Sequence, residues 1–241
     1  MTPLPRYAIY YAPDLDSDLH RFGAALLGYD AGSGEAMPFP ADVLAQAPDW
    51  ATLTDDPRKY GFHGTLKAPF PLAAGNTEAD LVAACENFAA TPRAIPVIAP
   101  VVRAISGFVA VVPAEPSADL GALAQHCVET FDRFRAPMTP EDRARRRPEA
   151  LTARQVEQLD RFGYPYVLND FRFHMTLTGR LTSERGAPVL AMLQEHFAAL
   201  DLTSLRIDRV ALFRQDDKSS RFRIVRQFTL VSTQHRISQL R

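Results

Sequence analysis

Two short strings of the chain carry the same pattern, His63-Gly64-Thr65-Leu66 and His174-Met175-Thr176-Leu177, and each follows a phenylalanine, Phe62 or Phe173. The histidines stand 111 residues apart. With six histidines in the chain, chance supplies roughly 0.2 matches to H-x-T-apolar, so two in like contexts point to a shared task. The residue types say which task. An imidazole with its ordinary pKa near 6.5 exchanges protons at neutral pH, and two imidazoles divide the roles of acid and base. A threonine hydroxyl and a nearby cation bind the non-bridging oxygens of a phosphodiester.

Strand geometry makes the spacing meaningful, because residues two apart share a face. The first string predicts His63, Thr65 and Lys67 together on one face, with Phe62 and Leu66 on the other. The second predicts Arg172, His174, Thr176 and Thr178 together, with Phe171, Phe173, Met175 and Leu177 against a core. His63 and His174 are therefore the candidates for proton transfer. Thr65, Thr176, Lys67 and Arg172 are the candidates for holding substrate.

Other chemistries lack their signatures. There is no Walker loop, no G-x-S-x-G and no cluster with metal-ligand spacing, so a route without metal or cofactor is expected. Cys85 and Cys127 fall in predicted helices and read as buried thiols rather than a disulfide. The net charge of -1 gives no overall basic footprint for long nucleic acid, which favours a small phosphorylated partner over RNA. Prolines and an acid interrupt MTPLPRYAIYYAPD where a signal peptide needs an apolar run, and no segment reaches the length of a membrane span, so a cytoplasmic protein is expected.

The elements that must position the motifs follow from periodicity. RYAIYYA (6–12) reads as a strand and 14–28 as a helix, and the proline-rich stretch 32–57 reads mostly as an ordered loop. Thr77 with Asp80 starts a helix to Ala90. Two strands meeting near Ser106 and Gly107 follow, then a helix over 117–134. The polar segment 135–165 carries helix-start signals at Thr139 and at Thr152 with Gln155, and reads as an inserted helical hairpin. FRFHMTLTGRL, a helix over 183–200 and a hairpin of two strands complete the chain. The halves 1–134 and 166–241 share an order, in which a strand bearing H-x-T precedes a helix and two strands, so one domain of two related lobes is expected.

The remaining histidines read as structural or solvated: His20, His126 and His196 on helices, His235 in the polar tail. Tyr7, Tyr10 and Tyr11 read as packing residues. The run RARRR (143–147) reads as the solvated face of the insertion, with phosphate or RNA binding the lesser reading.

Two H-x-T-apolar motifs on strands of paired lobes resemble the 2H phosphoesterase superfamily, and the fuller strings YGFHGTLKAPF and FRFHMTLTGRL, with a helical insertion between them, resemble its phosphonate-linked branch, the DUF1045 group. The resemblance implies an α+β fold of two antiparallel-sheet lobes with helices outside and a central cleft. It implies hydrolysis of a cyclic phosphodiester of a small sugar or nucleotide, with His63 and His174 sharing the acid and base roles in an order left open and Thr65 and Thr176 on the phosphate. The phosphonate link points to a ribose cyclic phosphate. Processing of RNA 2',3'-cyclic ends, 2'-5' ligation, and binding without turnover stay open as alternatives.

Overall fold

The computed structural model describes residues 5–233; His235 lies outside them. The chain folds as α+β, around one seven-stranded sheet whose neighbours are all antiparallel. β1 (Arg6–Tyr11) leads into α1 (Asp18–Leu27), capped by the Ser17 hydroxyl and stopped by Gly28 at φ 64°. β2 (Gly64–Pro71) carries the first motif. Then come α5 (Glu78–Ala90), β3 (Val97–Ile98), β4 (Pro100–Ile105), β5 (Phe108–Pro113) and α6 (Ala118–Phe131). The expected insertion forms α7 (Pro140–Arg145) and α8 (Ala153–Phe162), and α8 opens with a complete capping box between Thr152 and Gln155. β6 (Met175–Thr176), α9 (Ser183–Ala198), β7 (Leu205–Arg206), β8 (Arg209–Gln215) and β9 (Arg223–Thr229) follow.

Between α1 and β2 the stretch expected to be mostly loop contains three short helices, α2 (Ala41–Gln46), α3 (Trp50–Leu53) and α4 (Asp55–Arg58). Its prolines permit this because Pro40 caps α2 and Pro57 sits in the first turn of α4, where a helix needs no backbone N–H. Trp50 anchors the segment: it is fully buried and its indole N–H donates to the Leu26 carbonyl at 2.8 Å.

The sheet order is β4-β5-β6-β2-β1-β8-β9, with β3 and β7 forming a separate ribbon. β1 is covered on both faces. Tyr7, Ile9 and Tyr11 enter the main core with α1, α5, α6 and α9, whereas Ala8 and Tyr10 enter a smaller core with Tyr29, Phe213 and Phe222. A third small cluster of Val128, Phe162 and Val167 fastens the insertion to α6.

Two half-sheets, β4-β5-β6 and β2-β1-β8-β9, meet where β2 and β6 share one pair, Gly64 with Met175. This is the expected two-lobed plan with a difference in its wiring. Each half-sheet takes strands from both halves of the chain, since β6 joins β4 and β5 while β8 and β9 join β1 and β2. The second motif strand is also shorter than the eleven-residue string suggested. Beyond Thr176 the ladder breaks, because Leu177 and Thr178 both donate to the Val109 carbonyl and Gly179 turns to donate to the Leu53 carbonyl.

Candidate functional site

At the seam, residues one step from the Gly64–Met175 pair face each other across the strands: His63 lies across from Thr176, and Thr65 across from His174. The expected four-residue constellation is therefore assembled on one face of the sheet. It opens into two adjoining cavities. One, of about 290 Å³, is walled by His63, His174, Thr176 and Arg180, with Pro57 and Tyr60 contributed by the α4 region. The other, of about 570 Å³, is walled by Thr65, His174, Arg172, Phe108 and the insertion residues Arg154 and Tyr164. His174 belongs to both.

Each imidazole is held by its own chain. Nδ1 of His63 lies 2.9 Å from the Gly61 carbonyl, and Nδ1 of His174 lies 2.8 Å from the Arg172 carbonyl. A carbonyl only accepts, so both Nδ1 atoms carry the proton in the neutral rings and both Nε2 atoms are left as the basic nitrogens. The Thr65 hydroxyl is 3.3 Å from Nε2 of His63 and can donate to it. The ring of His63 also stacks on Tyr10, centroids 3.8 Å apart, while Phe108 flanks His174 at 5.6 Å.

Burial pushes the pKa of His63 down to about 4, with a smaller push from the neighbouring His174, against the opposing pull of the Gly61 carbonyl. His174 is lowered by burial as well, against the pull of the Arg172 carbonyl. Both rings are neutral at pH 7, and an anion bound beside them would raise both.

Lys67 is the correction. Its side chain is 3% exposed and its ammonium is bound to Asp132 at 2.9 Å and to the Val128 carbonyl, against α6. Simple alternation fails in β2 because the strand carries one extra residue between Thr65 and Lys67 relative to β1, so Tyr10 pairs with Thr65 but Ile9 pairs with Lys67. The bulge turns Lys67 off the histidine face, and Ala68 rather than Lys67 lines the larger cavity beside Thr65. Arg172 is where expected, exposed at the cavity, and among the described residues no hydrogen bond or ion pair holds its side chain. Thr178 is fully buried, accepting from the Val109 N–H and donating to the Gly179 carbonyl, and so is spent on the fold.

Three contributors were not legible as site residues. Tyr10 looked like packing, and only its pairing with Thr65 places it under His63. Phe108 and Tyr164 come from a strand start and from the end of the insertion, and nothing in their spacing ties them to a motif. Of the other histidines, three match their structural or solvated reading: His20 is buried against Asp30 at 3.0 Å, His126 is exposed on α6, and His196 lies 3.6 Å from Asp42. Cys85 and Cys127 are free and buried, and burial pushes both thiols up. Among the described residues, no group of three or more His, Cys, Asp or Glu is placed to share a metal ion, and no helix is long and apolar enough to cross a membrane.

Comparison with known proteins adds the lineage. The chain is 36% identical over 223 residues, 88% of its length, to a protein of Janthinobacterium sp. (strain Marseille) named ribose 1,5-bisphosphate phosphokinase PhnN, and 31% identical over 222 residues to the protein of that name from Laribacter hongkongensis (strain HLHK9), covering 92% of the chain. It spans about half the length of these relatives, 48% and 51%. Among solved structures it is similar to E. coli LigT complexed with 3'-AMP, at 11% identity and a TM-score of 0.45 over 94% of this chain and 99% of that one, and to a phosphoesterase at 12% identity and 0.42 over 95% and 100%. A family model described as a protein of unknown function, DUF1045, matches residues 65–223, from inside the first motif through the whole of the second. The chain belongs to the DUF1045 family.

Proposed function

We propose that the chain is a metal-independent phosphoesterase that opens a cyclic phosphodiester of a small sugar or nucleotide. The observation that carries this reading is the pair of imidazoles across the seam, each with Nδ1 tied to a carbonyl two residues earlier so that Nε2 is the unprotonated nitrogen, that of His63 lying 3.3 Å from the Thr65 hydroxyl. His63, whose pKa burial pushes down to about 4, is unprotonated at pH 7 and takes the role of base: it accepts a proton from water as the water oxygen bonds to phosphorus. His174, protonated when the anionic substrate binds, donates to the sugar oxygen as its bond to phosphorus breaks. Thr65 and Thr176 donate to the oxygens on which charge develops.

The preferred substrate is a ribose cyclic phosphate of the kind phosphonate breakdown would yield. Opening its ring leaves a phosphate monoester on ribose, the class of compound in the relatives' name. The aromatic walls of the larger cavity favour a second reading, a 2',3'-cyclic nucleotide at an RNA end, whose base Tyr164 and Phe108 could flank.

The test is hydrolysis in chelator of ribose 1,2-cyclic phosphates and 2',3'-cyclic nucleotides by the wild type, His63→Ala and His174→Ala. Both variants are expected to lose on the order of 10² to 10⁴ in rate. Losses under threefold in both would sink the two-histidine reading. Histidine-dependent binding of these compounds with no turnover would replace it with a binding module.

A further inference from the structure

The arginine run of the insertion is divided by the fold. Arg143 is spent within the hairpin, where its guanidinium meets both carboxylate oxygens of Asp160 at 2.6 and 3.0 Å. Arg145 and Arg146 instead stand at the rim of a separate cavity of about 210 Å³, between the start of the insertion and the far end of β2. Arg6 and Arg135 form its floor. Four arginines thus line one small concavity, against a single lining carboxylate, Asp142, which pairs with Arg145.

The floor is held by the fold and the rim is exposed. Arg6 is held by the Gln215 side chain, and the Arg135 guanidinium, 14% exposed, is held by Asp132 and by the Arg161 carbonyl. Arg145 and Arg146 are exposed, and Arg146 lies over the ring of Tyr164, 5.3 Å from its centroid. Guanidinium forks of this kind match the oxygens of a phosphoryl group and are more easily desolvated than ammonium ions.

The place of the cavity separates it from the catalytic seam. It is lined by Pro69 and Gly163, and the larger catalytic cavity by the adjacent Ala68 and Tyr164, so the two flank one wall. Along β2, Pro69 lies roughly 13 Å from Thr65 at about 3.3 Å per residue. An anion there is not the scissile phosphate.

We infer that the cavity of Arg6, Arg135, Arg145 and Arg146 is a second phosphoryl-binding site, for a free phosphate or for a remote phosphate of an extended substrate. It stands independently of the catalytic reading, because binding is measured without turnover.

Inorganic phosphate is titrated calorimetrically at low ionic strength into the wild type, into His63→Ala/His174→Ala and into Arg145→Gln/Arg146→Gln, with thermal melts to confirm that each is folded. The double-histidine variant is expected to retain a phosphate site, and the rim variant to bind there about tenfold more weakly, as lost charge-assisted contacts at an exposed rim imply. Arg6→Gln, which changes the floor instead, should weaken the same site. Loss of all phosphate binding in the double-histidine variant, or wild-type affinity in both arginine variants, overturns the inference. The source is read from KM in the rim variant: a rise confined to a 5'-phosphorylated, cyclic-ended dinucleotide supports a remote substrate phosphate, and unchanged KM alongside weakened phosphate binding supports a free one.

Discussion

Gly64 and Met175 are register partners across the seam and also hold the same place in the two motifs, one residue after His63 and one after His174. The motifs are therefore related by a local two-fold axis through that pair, which explains why each histidine faces the other motif's threonine. The other side of Gly64 is filled by the ring of Phe173, only 2.5 Å from where a Cβ would stand.

Gly64→Ala should accordingly injure both fold and site. The methyl must push Phe173, and with it the neighbouring His174. Overpacking of this kind costs about 1–3 kcal/mol, a fall of roughly 2–12 °C in Tm for a chain of this size. A melting curve and kcat on the same sample check it, and a variant that is both fully stable and fully active would refute the close packing.

Lys67→Met should separate stability from substrate binding. The side chain holds Asp132 and α6 rather than the histidine face, so unfolding in urea should come earlier by about 1–3 kcal/mol, while Arg135 keeps Asp132 paired. KM should stay within threefold. A tenfold rise would return Lys67 to the phosphate.

Arg172→Gln tests the opposite case. Its guanidinium is exposed at the larger cavity, where among the described residues no hydrogen bond or ion pair holds it, and its carbonyl, which orients His174, survives the substitution. KM is expected to rise about tenfold with kcat little changed, as loss of one charge-assisted contact implies. An equal fall in kcat would indicate that the side chain acts in the transition state.

The pH dependence follows from the lowered histidines. For kcat/KM, which reports the free enzyme, the alkaline limb should begin below pH 6.5, because the proton the acid needs is lost there. With an anion bound, that proton is held to higher pH, so the alkaline limb of kcat should lie above that of kcat/KM. Their coincidence would count against burial as the cause.

Stability should carry the same signature. His63 has a folded pKa near 4 and an unfolded one near 6.5, so the unfolded chain takes up its proton first on acidification. The stabilisation from neutral His63 is complete above about pH 6.5 and is lost as pH falls toward 4. Urea midpoints of the wild type should drop more steeply through that window than those of His63→Asn. Parallel curves would contradict it.

Much of this was legible in the chain. The doubled H-x-T pattern located both histidines and both threonines because a motif repeated in matching contexts is a local signal, and the caps at Thr77 and Thr152 were local too. Lys67 was misplaced because alternation assumes a regular strand, and the extra residue in β2 is visible only against its partner β1. The crossing of the chain halves between half-sheets, and the approach of Tyr10 and Tyr164 to the site, depend on pairings distant in sequence that no local pattern records.

The single rung at Gly64 and Met175 also limits how this molecule can vary. Antiparallel pairing permits only whole-residue steps, and one step would turn a histidine and its threonine to the opposite side of the sheet. The separation of the two imidazoles therefore cannot drift by small increments through sliding strands. The shape of the cavities rests instead on the parts that wall them, the α4 region and the insertion, while the spacing of the two imidazoles is set by the rung alone.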